Sequence, residues 1–506
     1  MDKYIQNSLF ERLYTSEQTR QLDDRTISEF GIDGFTLMEL AASGAANKIS
    51  DLHEKGSVGL YLCGKGNNAG DAIAVARYLA NQADHKIYLL LLFGDDSLSE
   101  NTQKNLRLLM KCKEGGADII RLNSADESLP EEINYIVDGM FGTGLKGKLS
   151  PPVSNMVNRT NSNNFPVYSM DLPTGLNADT GLTHETAIRA TKTFTFGTNK
   201  IGFYLNQADH FTGTVELIPL PFPNHLFENE TARLISGEQS HTLPHVKRNA
   251  KHKYDGGVVH IIAGSEGLTG AAILAAKSAW KQGAGAVLLY SPHSLLPVYD
   301  LNLTTIIKIS LGDDSDHFFK EKHGDMILKN LKEKPGTLLI GPGIGKHVET
   351  GKLVRKILDE HKGYTVIDAD GLSFFNEFKT LDQSKRSRWI LTPHIGEAKS
   401  SLGGNFSDDS ERVDWARSFA DKYDVTLLLK GDPLFVARPN NPPYISGYKT
   451  DMFNRAGFGD ILAGSIATKL SITKDPQAAV IGSLLNGYHT YKNFKSTKPF
   501  SPEDLI

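Results

Sequence analysis

The stretch Val58-Gly-Leu-Tyr-Leu-Cys-Gly-Lys-Gly-Asn-Asn-Ala-Gly-Asp71 leads an apolar run into a glycine cluster, and the residues that follow place Ile73, Ala76, Leu79 and Ala80 on one face at helical spacing. A short apolar run bounded by glycine predicts a strand buried on both faces, over 58–63, and the periodicity predicts a helix over 71–82. Strand, glycine turn and helix in that order open an α/β unit. The glycines let backbone N–H groups approach a ligand closely, and the helix start favours negative charge. Asn67, Asn68 and Asp71 put three polar side chains in a turn that does not require them. The plainer alternative is a glycine-rich strand–helix turn without a ligand.

The same pattern recurs outward from this stretch. Helices are expected over 16–29 and 36–49, and apolar runs lie at 87–93, 135–137, 167–170 and 193–196. The proline-rich segment Ile218-Pro-Leu-Pro-Phe-Pro-Asn224 cannot form a regular element. Beyond it the runs restart at 258–263, 286–290, 337–340, 365–367, 389–391, 425–429 and 434–437, with helices expected over 270–282 and 459–470. Strands alternating with helices predict two α/β domains, 1–224 and 225–506, each a mostly parallel sheet with helices on both faces.

Composition narrows the function. Among 506 residues, 55 basic side chains face 59 acidic ones, a net charge of −4, so no basic field argues for a nucleic-acid partner. Charged residues at 23% and apolar ones at 40% are ordinary for a globular chain. Cys63 and Cys112 cannot build a disulfide framework, which fits a reducing compartment. The first twenty residues lack the apolar core of a signal peptide, and the greasiest run, 87–93, is too short to span a bilayer. A soluble, cytoplasmic protein that binds neither nucleic acid nor membrane is expected.

Two further clusters in the first half follow apolar runs: Asp138-Gly-Met-Phe-Gly-Thr-Gly-Leu-Lys-Gly-Lys148, suited to an anion, and Asp171-Leu-Pro-Thr-Gly175. The first reads alternatively as a flexible loop with solvated lysines, the second as a helix cap or structural turn. Carboxyl ends of parallel strands converge on one crevice, so the three clusters are expected to share a site. Asn68, Asp138 and Thr174 offer oxygens to a hard cation there. These clusters, with Thr193-Phe-Thr-Phe196, Lys200 and Gly202, resemble the NAD(P)H-hydrate epimerase family over nearly all of 10–220. The resemblance implies that Asn68, Asp138 and Thr174 coordinate K⁺. It also implies that Asn67, Asn68, Ala69, Gly70, Asp71, Gly142, Thr143, Gly144, Leu145, Lys146, Gly147, Lys148 and Asp171 contact a hydrated nicotinamide nucleotide. Asp171 would carry the proton, with Lys200 as helper. The family usually has glycine where this chain has Ala69 and Ala72. A left-handed backbone at 69 would strain the alanine, and its methyl would crowd the ligand.

The second half repeats glycine turns at successive strand ends: Gly264 to Ala272, Gly341-Pro-Gly-Ile-Gly345, Asp368-Ala-Asp-Gly-Leu372, Thr392-Pro-His-Ile-Gly-Glu397 and Lys430-Gly-Asp432. The sharpest feature is Asn454-Arg-Ala-Gly-Phe-Gly-Asp-Ile-Leu-Ala-Gly464. A Gly-x-Gly-Asp that opens a helix aims backbone N–H donors at a transferring phosphoryl group, and its aspartate can accept the proton of an attacking hydroxyl. A capped helix start is the plainer alternative. In order and over roughly 250–490, these motifs resemble the ribokinase-like superfamily, and more closely its ADP-dependent NAD(P)H-hydrate dehydratase branch. The resemblance implies Asp460 as the base and Ala456, Gly457 and Gly459 as the anion hole. Lys430, Gly431, Asp432, Pro433 and Leu434 would meet ADP. Ala271, Gly343, His394 and Asp460 would face the hydrated nicotinamide, and Mg²⁺ would balance phosphate charge. Phe458 departs from the small residue usual at that place and either points away from the hole or weakens nucleotide binding.

The expected architecture is therefore two three-layer αβα domains, Rossmann-like then ribokinase-like. The expected activity is a bifunctional repair enzyme acting on hydrated NADH and NADPH, with ADP as co-substrate and Mg²⁺ and K⁺ as ions. The resemblance also suggests a homo-oligomer. The alternatives are a ribokinase-like kinase for a vitamin precursor or sugar with a non-catalytic first domain, and a binding protein without catalysis.

Overall fold

Runs apolar on both faces become parallel strands, and the amphipathic stretches between them become the helices that cover the sheets. The computed structural model describes residues 9–122, 130–144, 147–183, 185–237, 239, 256–448, 455–495 and 498–506. The chain divides into one unit of Arg12–Ala232 and a larger unit of Arg233–Ile506 that also takes in the segment ending at Glu11.

The smaller unit contains β1 (Glu11–Tyr14), α1 (Ser16–Phe30), α2 (Gly34–Ser50), β2 (Val58–Cys63), α3 (Asn67–Gln82), β3 (Lys86–Leu91), α4 (Glu100–Glu114), β4 (Ile119–Arg121), β5 (Tyr135–Gly139), α5 (Pro151–Asn161), β6 (Val167–Met170), β7 (Lys192–Phe196), β8 (Asn199–Lys200), α6 (Asp209–Thr212) and β9 (Thr214–Ile218). Its main sheet runs β4-β3-β2-β5-β6-β7-β9, and every pairing is parallel. The strand order reverses between β2 and β5, so a crevice opens at their carboxyl ends. Gly64 is required there, because a side chain would run into the Met140 carbonyl of the neighbouring turn. The helix α3 begins at Asn67, four residues before the expected start, and this shortens the turn. Ala69 consequently has an ordinary helical backbone and none of the expected left-handed strain. Ala72 is buried and packs against the bare backbone of Gly139.

The larger unit contains β10 (Ala232–Ile235), β11 (Val258–Ile262), α7 (Thr269–Lys281), β12 (Ala286–Pro292), α8 (Leu296–Asn302), β13 (Ile307–Leu311), α9 (Gly324–Glu333), β14 (Thr337–Ile340), α10 (Val348–Glu360), β15 (Thr365–Ile367), α11 (Phe375–Phe378), α12 (Gln383–Arg386), β16 (Trp389–Leu391), α13 (Ile395–Ser401), α14 (Asp409–Tyr423), β17 (Thr426–Leu429), β18 (Phe435–Ala437), β19 (Tyr444–Ser446), α15 (Phe458–Thr473) and α16 (Pro476–Lys492). Its strands run β13-β12-β11-β14-β15-β16-β17-β18-β19-β10, parallel from β13 to β17, with β18 antiparallel to both neighbours. Here the order reverses between β11 and β14. Gly341, at φ 130°, leaves β14 so close to the Asp368 carbonyl that only a hydrogen fits. The ring of Phe10 lies edge-on to Tyr444 at 5.0 Å, and Gln239 Nε2 donates to the Leu9 carbonyl at 2.9 Å. A linear reading places a boundary at a composition change and cannot see that this early segment belongs with the later half.

Candidate functional sites

The switch point of the smaller sheet opens into a cleft of about 990 Å³. Its walls come from the first turns of α3 (Asn67, Asn68, Asp71), the turn after β5 (Met140 to Gly144), Asp171, and α1 through Thr19 and Asp23. Asp171 holds a left-handed backbone at φ 59°, uncommon for a residue with a side chain. This turns its carboxylate to accept from Lys200 Nζ at 2.6 Å and from the Phe196 N–H at 3.2 Å. Lys200 has no exposed surface and also donates to Thr195 Oγ1 at 2.6 Å. Two more carboxyls belong to the group. Burial, and then the charge of Asp171, push Asp23 up to about 6 and hold Asp71 well above the usual carboxylate range; Lys200 pulls both down. Asp23 escaped the sequence reading because it sits in an amphipathic helix with no motif around it.

Below the cleft, Asp138 is fully buried at the end of β5. Its Oδ1 accepts from Thr174 Oγ1 at 2.7 Å and from the Met140 N–H at 3.2 Å. Its Oδ2 accepts from Ser169 Oγ and the Thr174 N–H, both at 2.9 Å. Burial raises its pKa against these four bonds. Thr174 Oγ1 also accepts from the Phe141 N–H at 3.0 Å, and Asn68 lies against Gly142 in the same turn. Asn68 is buried, and neither its Oδ1 nor its Nδ2 has a partner among the described residues. Asn68, Asp138 and Thr174 therefore all border one turn, and an oxygen aimed at nothing is among them. From the rest of the expected contact set, Gly142, Thr143 and Gly144 line the cleft, whereas Ala69 and Gly70 pack into the core instead. Gly147 lies off the cleft walls, and Lys148, also off them, is exposed and paired with Glu185. Leu145 and Lys146 lie outside the described residues.

In the larger unit, successive strand ends bring a lysine and four carboxyls together. Lys430, after β17, donates to Asp368 Oδ1 at 2.9 Å, and Thr392 Oγ1 donates to the same oxygen at 2.6 Å. Burial pulls the lysine's pKa down, but facing Asp368, Glu397 and Asp460 outweighs it and the net shift is upward. Ala369, at φ 52°, separates Asp368 from Asp370, whose Oδ2 accepts from the Gly345 N–H at 3.1 Å. Asp460 stands in the first turn of α15. Burial, and then Asp368, push it up to about 7, with Glu397 and Asp370 adding to the rise and Lys430 opposing it. The N-cap of α15, Gly457 at φ 95°, has no capping side chain, so the helix's first N–H groups are not capped from its own start. A side chain on Gly459 would come within 3.4 Å of Lys430 Nζ, which puts this helix start beside the cluster.

The remaining expected residues divide. Ala271 adjoins Gly343 closely enough that a methyl on the glycine would sit 3.2 Å from its Cβ. His394 is exposed, and its backbone bridges to Lys430. Its Nδ1 accepts from the Glu397 N–H at 3.2 Å while Glu397 Oε2 accepts from the His394 N–H at 2.9 Å, a reciprocal cap on α13. Gly431 leaves room for the buried guanidinium of Arg412, which donates to the Pro433 carbonyl at 2.8 Å. Asp432 is exposed. Leu434 is turned into the core and its N–H goes to Ser446 Oγ at 3.0 Å, which leaves its side chain no part in a binding site. Ala456 is exposed at the helix start. Phe458 is buried with its ring stacked on Phe500 at 5.8 Å, so it packs among other aromatics rather than against phosphate. Asp368, Asp370 and Glu397 were visible in the quoted motifs but were not assigned to the site.

Each unit thus gathers a lysine and carboxyls near the carboxyl ends of parallel strands, beside a helix whose N-cap residue supplies no capping side chain. That is the equipment of a two-domain α/β enzyme acting on phosphate-bearing small molecules. Residues 34–202 match the family model described as YjeF-related protein N-terminus, and 259–504 match the one described as NAD(P)H-hydrate dehydratase. The bifunctional NAD(P)H-hydrate repair enzyme of Dictyoglomus turgidum is 31% identical over 98% of this chain and 97% of its own. That of Salinibacter ruber is 30% identical over 96% and 92%. The chain belongs to the family of bifunctional NAD(P)H-hydrate repair enzymes, in which an epimerase domain precedes a dehydratase domain. An ADP/ATP-dependent NAD(P)H-hydrate dehydratase from Bacillus subtilis, solved with ATP and Mg²⁺, is 20% identical, with a TM-score of 0.42 over 53% of this chain and 93% of its own. Among the described residues no helix is long and apolar enough to cross a membrane.

Proposed function

We propose that the cleft of the smaller unit interconverts the R and S hydrates, and that the cluster around Asp460 dehydrates the S form while ADP becomes AMP and phosphate. The observation that carries the reading is Asp460 itself. Its carboxyl, pushed up to about 7, stands in the first turn of a helix whose start lacks a capping side chain, beside Lys430. In the hydrate the hydroxyl sits next to the ring nitrogen, and hydroxide leaves poorly at neutral pH. Asp460 takes the hydroxyl proton as the oxygen attacks the terminal phosphorus of ADP. Of the anion hole expected from Ala456, Gly457 and Gly459, the helix start at Phe458 favours the N–H groups of Phe458 and Gly459 to stabilise the charge that builds on the phosphoryl oxygens, and Lys430 balances it. The ring nitrogen then expels phosphate, and the iminium so formed loses a proton from the neighbouring ring carbon to water or to the departing phosphate, which restores the dihydropyridine. Mg²⁺, when bound, would neutralise ADP charge; Asp368 and Asp370 supply oxygens for an ion held largely by substrate phosphates.

In the smaller unit the ring nitrogen pushes the hydroxyl off its carbon as water, and water returns on the other face. Asp71, whose burial favours its protonated form, holds the proton that the leaving hydroxyl takes, and Asp171, held by Lys200, accepts the proton of the incoming water. Among the described residues no three His, Cys, Asp or Glu side chains gather as a ligand set. One carboxylate with neutral oxygens suits a monovalent cation such as K⁺, and the partnerless oxygen of Asn68 fits it. Asn68, Asp138 and Thr174 would hold the ion, which would supply fixed positive charge beside the nucleotide phosphates. The macromolecular assembly we propose is a homo-oligomer, as the family resemblance implies.

The test is incubation of the purified protein with mixed R and S NADH hydrates, with and without ADP, followed by NADH absorbance. Complete conversion that requires ADP supports both assignments. Conversion that stops at half, under conditions of slow spontaneous epimerisation, removes the epimerase assignment. No conversion removes the dehydratase assignment, and a phosphorylated product that persists would point to a kinase.

A further inference from the structure

The turn that opens α15 is held from outside by the segment Pro499–Ile506, through three separate contacts. Phe500 stacks on Phe458 with ring centroids 5.8 Å apart and planes 14° from parallel. Arg455 donates from Nη1 to the Phe500 carbonyl at 2.9 Å. Pro502 lies against Gly457, where a side chain would meet its ring at 3.2 Å. Residues 455, 457 and 458 of the five-residue turn are thus each gripped by one short segment. Phe500 is in turn seated by Tyr491 and Phe494, edge-on at 5.2 and 4.9 Å. The turn needs such a grip. Gly457 has the freest backbone of any residue type, starts a helix from the left-handed region, and has no side chain of its own to cap it. The N–H groups assigned above to the phosphoryl oxygens belong to this helix start, so its shape decides where they point.

We infer that Phe500 is a positioning residue for nucleotide binding. It clamps Phe458 and so keeps the N–H groups of Phe458 and Gly459 aimed at the phosphate. The clamp explains the bulky residue at 458, which in this chain serves as the handle by which the turn is held. The inference rests on the reading of this turn as the ADP phosphate site.

The test measures ADP affinity by calorimetry, and separately KM for ADP and for the S hydrate, in the full chain with Phe500→Ala, Phe500→Leu and Phe500→Tyr. Misaimed donors are expected to weaken ADP binding about tenfold in Phe500→Ala. KM for the hydrate should stay within about twofold, and Phe500→Tyr, which keeps the ring, should retain full affinity. Phe458→Ser added to Phe500→Ala should cost little more, because the two rings act as one device. Phe500→Leu fills the space without an aromatic face and serves where Phe500→Ala does not fold; a several-fold loss is expected of it. ADP binding unchanged in the folded variants, or both KM values rising together, would overturn the inference alone. Failure of the unsubstituted protein to bind ADP would overturn it together with the dehydratase reading.

Discussion

The ammonium of Lys200, without exposed surface, donates to Asp171 Oδ1 across 2.6 Å, and Asp171 adopts a left-handed backbone to receive it. Asp23 and Asp71 feel both charges. Lys200→Met removes the cation that offsets three carboxyls. It should abolish epimerisation and destabilise the smaller unit by about 3 kcal/mol, with ADP-dependent dehydration of the S hydrate kept. Thermal unfolding read beside the two activities checks this; a variant that still epimerises would remove Lys200 and Asp171 from the mechanism.

Asp460 must be ionised to accept a proton, and its pKa is pushed up to about 7. Dehydration should therefore fall as pH drops below about 7, while epimerisation need not follow. Asp460→Asn should lower dehydration roughly 10²–10⁴-fold. A pH profile of kcat/KM for the S hydrate, with and without the substitution, decides the matter.

The neighbours of Asp460 set the direction of two further shifts. Asp368 raises its pKa and Lys430 lowers it. Asp368→Asn should move the acid limb of the dehydration profile to lower pH, and Lys430→Met should move it higher, beyond whatever each costs in rate. Limbs that stay in place would mean that another group titrates there.

Asp23 has a native pKa pushed up from 3.8 to about 6, so the folded state favours its protonated form. Stability from this group is complete at low pH and is lost as pH rises through about 6. Asp23→Asn, which cannot ionise, should match the parent Tm near pH 4 and exceed it near pH 8. Equal Tm values at both would show that the carboxyl is not held in a desolvated, like-charged place.

Asn68, in the first turn of α3, carries a buried oxygen with no partner among the described residues and lies against the turn that borders Asp138 and Thr174. A cation there should raise the Tm of the smaller unit in K⁺ relative to Li⁺ or choline. Asn68→Leu should erase that difference. A Tm that ignores the cation in the unsubstituted protein would exclude a K⁺ site that holds the fold.

Much of the site was legible because parallel sheets present ligands at strand ends, and glycine clusters after apolar runs mark those ends. Asn68, Asp138, Asp171, Lys430 and Asp460 were singled out this way, and the structure places them beside the two candidate sites. Asp23 was not, since an acidic residue on an amphipathic helix looks like any solvated one until the helix is docked. Nor was Phe500, whose meaning depends on a ring 42 positions earlier (500 − 458). The expected strain at Ala69 failed because the turn ends sooner than glycine spacing suggested, with Asn67 already in the helix. Leu434 was carried over with its neighbours, yet the pull of the core outweighed proximity to Lys430.

Phe10 completes the interior of the larger unit although the whole of the smaller unit's sequence separates it from the rest. Any attempt to express the dehydratase half as a free-standing fragment starting near residue 225 would leave a ring-sized hole beside Tyr444, a loss of about 3–5 kcal/mol by the measure of deleted core phenylalanines. Dissection of the gene into its two activities should therefore graft the Leu9–Glu11 strip onto the later fragment, or fill the vacancy by other means.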